Sequence, residues 1–315
     1  MAVAAQRRTK LRDSVFSARL KEALVGYSFV VVPMGFFLLF FVFPIVYAFY
    51  ISAYDWGILG KELGSVASAD NDRFLREDEV FWRAIKNTVR YTAFVVPIQM
   101  ALGLFLALLV NQKIRGRTFF RAGFYFPALT SSAAITAIAI YLLNASGLLN
   151  TILDFLQVDK LGVNPHHPWF GHSSTALESI MGLNIWTTSG TMMLFYLASL
   201  QSIPPDVYEA AAIDGAGRWR TFWKITFPLL KPGHFFVAVV SVIGALKVFD
   251  QAYIVSGGAG GPAFSTMTSV LYLYRTAIFD VDFGYAAAMG VVLFLVIFLF
   301  TLVQRLLFGK AEIGY

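Results

Sequence analysis

The chain has 315 residues, 57% of them hydrophobic and only 14% charged, with 25 Lys/Arg against 19 Asp/Glu. That composition excludes a soluble domain of this size, and the absence of cysteine excludes disulfides, thiolate metal sites and a cysteine nucleophile. The formal charge of +6 invites a nucleic-acid reading, but the basic residues lie beside apolar runs, where membrane topology accounts for them.

From the N-terminus, the basic tail AAQRRTKLRDSVFSARLKEALVGY places Leu11, Val15, Phe16 and Leu20 near helical spacing. It reads either as a short interfacial helix or as an unstructured topogenic tail. Residues 23–54 then form the first apolar run long enough for a bilayer core, which needs about 20 residues. The run is too long for a signal-peptide core and reads as a retained anchor. Further runs at 91–112, 122–153, 179–205, 232–255 and 283–304 bring the expectation to six transmembrane helices. The architecture is expected to be all-α, because backbone polar groups facing lipid must be satisfied within each span.

The connections differ in character. The segment DWGILGKELGSVASADNDRFLREDEVFW is polar and acidic, as a solvated loop with some helix would be. Pro127 is expected to kink or split the third run near its start. The loop NPHHPWFGHSS gathers His166, His167 and His172, but without an adjacent carboxylate it reads as a proline-rich exposed loop and no metal site is assigned. The fifth run contains two charges, Lys247 and Asp250. On a continuous helix they share a face and neutralise each other, either beside a cavity or at the outer interface. A cavity reading makes Asp250 and Gln251 candidate contacts for a polyhydroxylated solute, with Asn184, Trp186 and Tyr253 as weaker candidates.

Lys and Arg near helix ends resist translocation. Placing both termini on one side gives that side 16 Lys/Arg against 6 acids, and the other side 8 against 12. Both termini and the segments 111–121 and 201–232 are therefore expected to be cytoplasmic. The last of these contains the most unusual stretch of the chain, EAAAIDGAGRWRTFWKITFPLLKP at 209–232. Pro204 and Pro205 stop the preceding span and preset a new helix, with Asp206 in its first turn. Ala210, Ala211 and Ala212 favour helix, and Gly215 ends it after two to three turns. Such a helix either transmits motion from a soluble partner or merely joins two spans.

Resemblance separates these two readings. Glu209, Ala210, Ala211, Asp214, Gly215, Ala216, Phe222, Ile225 and Pro228 are similar to the EAA motif of permease subunits of bacterial ABC importers, with Phe227 in place of the usual leucine. Asn87-Thr88, the block LFLALLVNQKIRGRTFFRAGFYFPALTSS, GLLN at 147–150, and FDQAYIVSGG followed by Gly261-Pro262, Thr266, Thr268, Tyr272 and Tyr274 resemble the carbohydrate-uptake branch of that family. The turn SGGAGGP is slightly longer than usual there. The resemblance covers roughly residues 25–310, between an N-terminal tail (1–24) and a C-terminal tail (311–315).

The resemblance implies a type I ABC importer permease fold in the bacterial inner membrane, with a coupling segment at 204–232. Residues Tyr208 to Ala211 and Asp214 to Ala216 would contact an ABC ATPase. It further implies a second, different permease subunit and an extracytoplasmic solute-binding protein as partners. The chain has no G-x-x-x-x-G-K-[ST] phosphate loop, so it is expected to carry no cofactor and not to hydrolyse ATP, with ATP and Mg held by the partner ATPase. Two other readings compete: an ion-coupled secondary carrier, disfavoured by the lack of an internal repeat, the scarcity of buried carboxylates and the cytoplasmic EAA insert, and a membrane enzyme built on the histidine loop.

Overall fold

The computed structural model describes residues 21–57, 60–61, 75–112, 115–157 and 166–308. Helix α1 (Lys21–Ile51) contains a π-helical turn at Leu38–Val42. A short antiparallel pair follows, β1 (Trp56–Gly57) with β2 (Gly60–Lys61). Next come α2 (Glu79–Asn111), α3 (Arg117–Leu129), α4 (Ser132–Leu142), α5 (Leu148–Phe155) and α6 (Ala176–Gln201). The chain continues through α7 (Pro205–Ile213), α8 (Arg218–Thr221), a π segment at Phe222–Thr226 and α9 (Phe227–Leu229). It ends with α10 (Lys231–Leu246), α11 (Asp250–Ser256), α12 (Ser269–Ile278) and α13 (Phe283–Phe308). The N-terminal residues 1–20, residues 62–74 of the acidic loop and the tail 311–315 lie outside the described residues.

The first and last expected spans are single helices close to their predicted limits. The second begins at Glu79, a dozen residues before its apolar run, because Asp78 caps it: its Oδ1 accepts from the Val80 and Phe81 amides at 2.8 and 3.0 Å. The fourth, α6, has 26 residues and is about 39 Å long at 1.5 Å per residue, sufficient to cross a bilayer. By composition it is not among the helices apolar enough to cross a membrane, and it packs on α2 and α3. Gly190 permits the α3 contact; a Cβ there would collide with the Phe124 carbonyl oxygen.

Two expected spans are broken. The third is a pair, α3 and α4, bent by 91°. Pro127 lies inside α3 without breaking it, and the joint comes at Thr130 and Ser131, both with extended ψ. The predicted run to 153 is not one helix either, since α4 ends at Leu142 and α5 starts at Leu148. The fifth span is also discontinuous. Helix α10 ends at Leu246, and α11 begins at Asp250 after a joint at Lys247–Phe249.

Three buried clusters tie these pieces together. Tyr91, Val95, Ile180, Leu246, Met267 and Leu271 join α2, α6, α10 and α12. Leu104, Val110, Met193, Tyr196, Leu230 and Val237 fill the end near α7, with Tyr208 and Phe222 packed against them. Phe81, Tyr285 and Met289 fasten the start of α2 to α13.

Candidate functional site

The functional geometry lies at two places. At one end of the bundle, α7 stands out from the body. Pro205 occupies its first turn with Asp206, and only Ala211 is buried, while Ile213 is 87% exposed. The helix stops in a Schellman motif. The Ala216 amide donates to the Ala211 carbonyl at 2.9 Å and the Gly215 amide to the Ala212 carbonyl at 3.1 Å. Gly215 has φ +70°, a left-handed conformation that side chains other than glycine's adopt at a cost.

The exposed surface is an apolar knob formed by Ala210 and Ile213, bordered by Asp206, Glu209 and Asp214. Tyr208 points inward, and its hydroxyl accepts from Thr226 Oγ1 at 3.4 Å. Beside it, a hollow of about 700 Å³ is lined by Tyr208, Ala216, Thr221, Phe222 and the ends of α2 and α6. The helix is thus anchored by a few contacts to the π segment leading into the fifth span.

The second place is where the two broken spans meet, α11 packing on α4. A cavity of about 150 Å³ is lined by Pro127, Thr130, Ser132, Thr136, Thr187, Thr188, Thr191 and Gln251, among others. Thr188 Oγ1 lies 2.8 Å from Gln99 Oε1 and 2.7 Å from the Asn184 carbonyl. Of the five predicted solute-contact residues, the cavity receives Gln251. Asn184 is not part of the lining, its carbonyl accepting from the Thr187 and Thr188 hydroxyls; Trp186 is 55% exposed and also outside the lining, and Tyr253 lies in an aromatic group with Phe249 and Tyr274 at centroid distances of 5.4 and 5.6 Å. The threonines were missed, although Thr187, Thr188 and Thr191 mark one stripe of a helix by spacing alone.

The predicted Lys247–Asp250 neutralisation is corrected by the structure. Both are exposed and they share no continuous helix: Lys247 caps the end of α10 while Asp250 opens α11. Each charge instead suits the helix dipole at its own terminus. The backbone opened by this joint is held by Thr268, whose Oγ1 donates to the Val248 carbonyl at 2.9 Å. Thr88 accepts from the Ser269 amide and hydroxyl, and Asn87 Nδ2 donates to the Phe264 and Met267 carbonyls, each at 2.9 Å. Two sequence blocks some 180 residues apart therefore form one clamp.

At the end away from α7, Asn150 is 1% exposed. Its Nδ2 donates to the carbonyls of Asn144, Ala145 and His167, and its Oδ1 accepts from Trp169 Nε1 at 2.8 Å. His167 Nε2 lies 2.8 Å from Thr175 Oγ1, and His172 Nδ1 lies 2.8 Å from Ser174 Oγ. Among the described residues no three histidines or carboxylates converge as metal ligands.

Residues 99–312 match the family described as binding-protein-dependent transport system inner membrane component. The chain is 33% identical over 287 residues to the probable ABC transporter permease protein YesP of Bacillus subtilis (strain 168), covering 90% of each chain. It is 33% identical to the lactose transport system permease protein LacF of Rhizobium radiobacter, covering 89% of this chain and 92% of that one. To the trehalose/maltose transport system permease protein MalF of Thermococcus litoralis it is 32% identical, covering 92% and 96%. A chain of a bacterial ABC transporter that imports the acidic polysaccharide alginate has the same fold, with a TM-score of 0.76 at 21% identity over 93% of this chain and 97% of that chain. The ion-coupled carrier finds no support in these likenesses.

Proposed function

Because the chain belongs to the binding-protein-dependent transport system inner membrane components and is an ABC transporter permease, we propose that it forms half of a pathway for ATP-driven uptake of a sugar, oligosaccharide or glycerophosphate-like solute. The sugar class is supported by relatives named for lactose and for trehalose/maltose. A hydroxyl-lined cavity at the junction of two broken spans suits a solute that is handled by hydrogen bonds. An extracytoplasmic binding protein delivers the solute, a second permease completes the pathway, and ATP is hydrolysed by a separate ATPase. Both termini and α7 face the cytoplasm, in agreement with the distribution of Lys and Arg.

The observation that carries this reading is α7, a nine-residue helix whose apolar knob is exposed and whose inner face reaches the fifth span through Tyr208 and Thr226. The ATPase receives the knob in a groove, and its closure tilts α7 against the π segment. Gly215→Val tests this directly. A Cβ at Gly215 meets nothing within 4 Å in this subunit, so the fold has room for the side chain; a β-branched residue at φ +70° costs about 1–2 kcal/mol and shifts the end of the helix. Uptake into liposomes containing the whole transporter should fall at least about tenfold, the equivalent of roughly 1.4 kcal/mol, while ATP hydrolysis continues uncoupled. Uptake equal to that of the parent protein would remove α7 from the mechanism.

A further inference from the structure

A large apolar groove of about 1040 Å³ opens on the side of the bundle, lined by Pro97, Ala101 and Phe105 of α2 and by Trp219, Trp223 and Phe227 of the segment after α7. The lining offers almost nothing for a polar ligand. Apart from Lys231 and the two indole N–H groups, its polar side chains are Tyr196 and His234, which satisfy each other: Tyr196 Oη lies 3.0 Å from His234 Nδ1, while His234 Nε2 lies 3.2 Å from the Phe227 carbonyl. With the carbonyl accepting from Nε2–H, Nδ1 is left to accept from the tyrosine hydroxyl, and no donor or acceptor of the pair points unmet into the groove. Hydrocarbon suits such a space better than a sugar or a peptide.

The rim carries the opposite signal. Lys231 lines the groove and is exposed. Arg220 and Lys224 lie outside the lining but are exposed too, each one residue after a lining tryptophan. Between Gly215 and His234 the chain carries four cations and no acid. Trp219 and Trp223, with ring centroids 5.8 Å apart, have the amphipathic character of residues that sit at headgroup level. An apolar trough with a cationic lip complements one membrane component, a phospholipid with an anionic headgroup.

We propose that this groove is a binding site for an anionic phospholipid, an acyl chain lying between α2 and the Trp219–Phe227 segment and the phosphate held at Lys231 with help from Arg220 and Lys224. The bound lipid braces the segment that joins α7 to the fifth span.

The test uses the intact transporter in nanodiscs, with dibrominated phosphatidylglycerol or dibrominated phosphatidylcholine as quencher at equal mole fraction. Subtracting the signal of a Trp219→Phe/Trp223→Phe variant isolates the two groove tryptophans among the six in the chain. Phosphatidylglycerol should associate more strongly, and Lys231→Gln should weaken that preference about fivefold, the equivalent of roughly 1 kcal/mol per cation near an anionic surface. Ala101→Phe, which crowds the groove without touching the cations, should reduce quenching by both lipids. Equal quenching by the two lipids would overturn the proposal. So would a preference that survives Ala101→Phe unchanged, which would mark general surface attraction. Loss of the preference to added inorganic phosphate would reveal an anion site without a lipid, and absence of quenching by either lipid would show that another subunit covers the groove.

Discussion

Both carboxylate oxygens of Asp78 hold other elements in place. While Oδ1 caps α2, Oδ2 accepts from the hydroxyls of Tyr272 at 2.5 Å and Tyr285 at 2.7 Å, joining α2 to α12 and α13. Partial burial raises the carboxyl's pKa, but these four hydrogen bonds outweigh it and keep the group below the ordinary carboxylate value. The sign follows: the contribution is present above that value and is lost as pH falls below about 4, through the depressed folded pKa. Asp78→Asn retains one acceptor for the cap and removes the second. Thermal unfolding of the purified complex should show a loss on the order of 1–3 kcal/mol, together with a weaker dependence of stability on acid. An unchanged melting temperature would show that the tyrosines find other partners. Nothing in the local sequence announced this role, since Asp78 is one acid among several in its loop and its partners lie 194 and 207 residues away. Gly215 was legible, by contrast, because the Schellman turn is decided by its immediate neighbours.

At the scale of elements, apolar length identified where spans occur and Pro127 marked the break of the third to within a few residues, but nothing marked the break of the fifth. Hydropathy records composition, whereas a break is tolerated only if the freed backbone groups find partners, and those partners are distant. Thr268 shows why: it serves the Val248 carbonyl from 20 residues away and also caps α12 through the Leu271 amide. The same reasoning explains the mistaken Lys247–Asp250 pairing, which assumed an unbroken helix. Thr268→Val keeps the shape but leaves the Val248 carbonyl unmet, with an expected cost of about 1–3 kcal/mol. Thr268→Ser should restore most of it. Thermal stability of the three proteins compares them, and equal loss in the serine variant would point to the methyl group and not the hydroxyl. The threonine stripe around Gln251 was overlooked for a related reason: a stripe declares a face, but only the 91° joint between α3 and α4 declares that a cavity stands before it.

At the scale of the whole molecule, α1 is long, strongly apolar and without a single buried residue, and only its final part packs on α13. A second permease subunit lying along its Phe36 and Phe40 face would supply the missing neighbour. The chain lacks cysteine, so single cysteines placed at these positions are free of background. Paired with cysteines along the other permease, they should give disulfide-linked heterodimers in native membranes; exclusive labelling by lipid-phase probes, with no cross-link, would assign the face to lipid. The cluster containing Leu104, Tyr196 and Leu230 has a wider consequence. It touches α2, α6, the Tyr208 contact of α7 and the start of the fifth span, so none of these shifts without the rest. Equilibrium linkage through such a shared core is reciprocal. If nucleotide-driven closure reshapes the cavity at Gln251, a solute resting in that cavity must alter the ATPase's affinity for nucleotide by the same factor, and the permease then reports cargo outward as faithfully as it receives force.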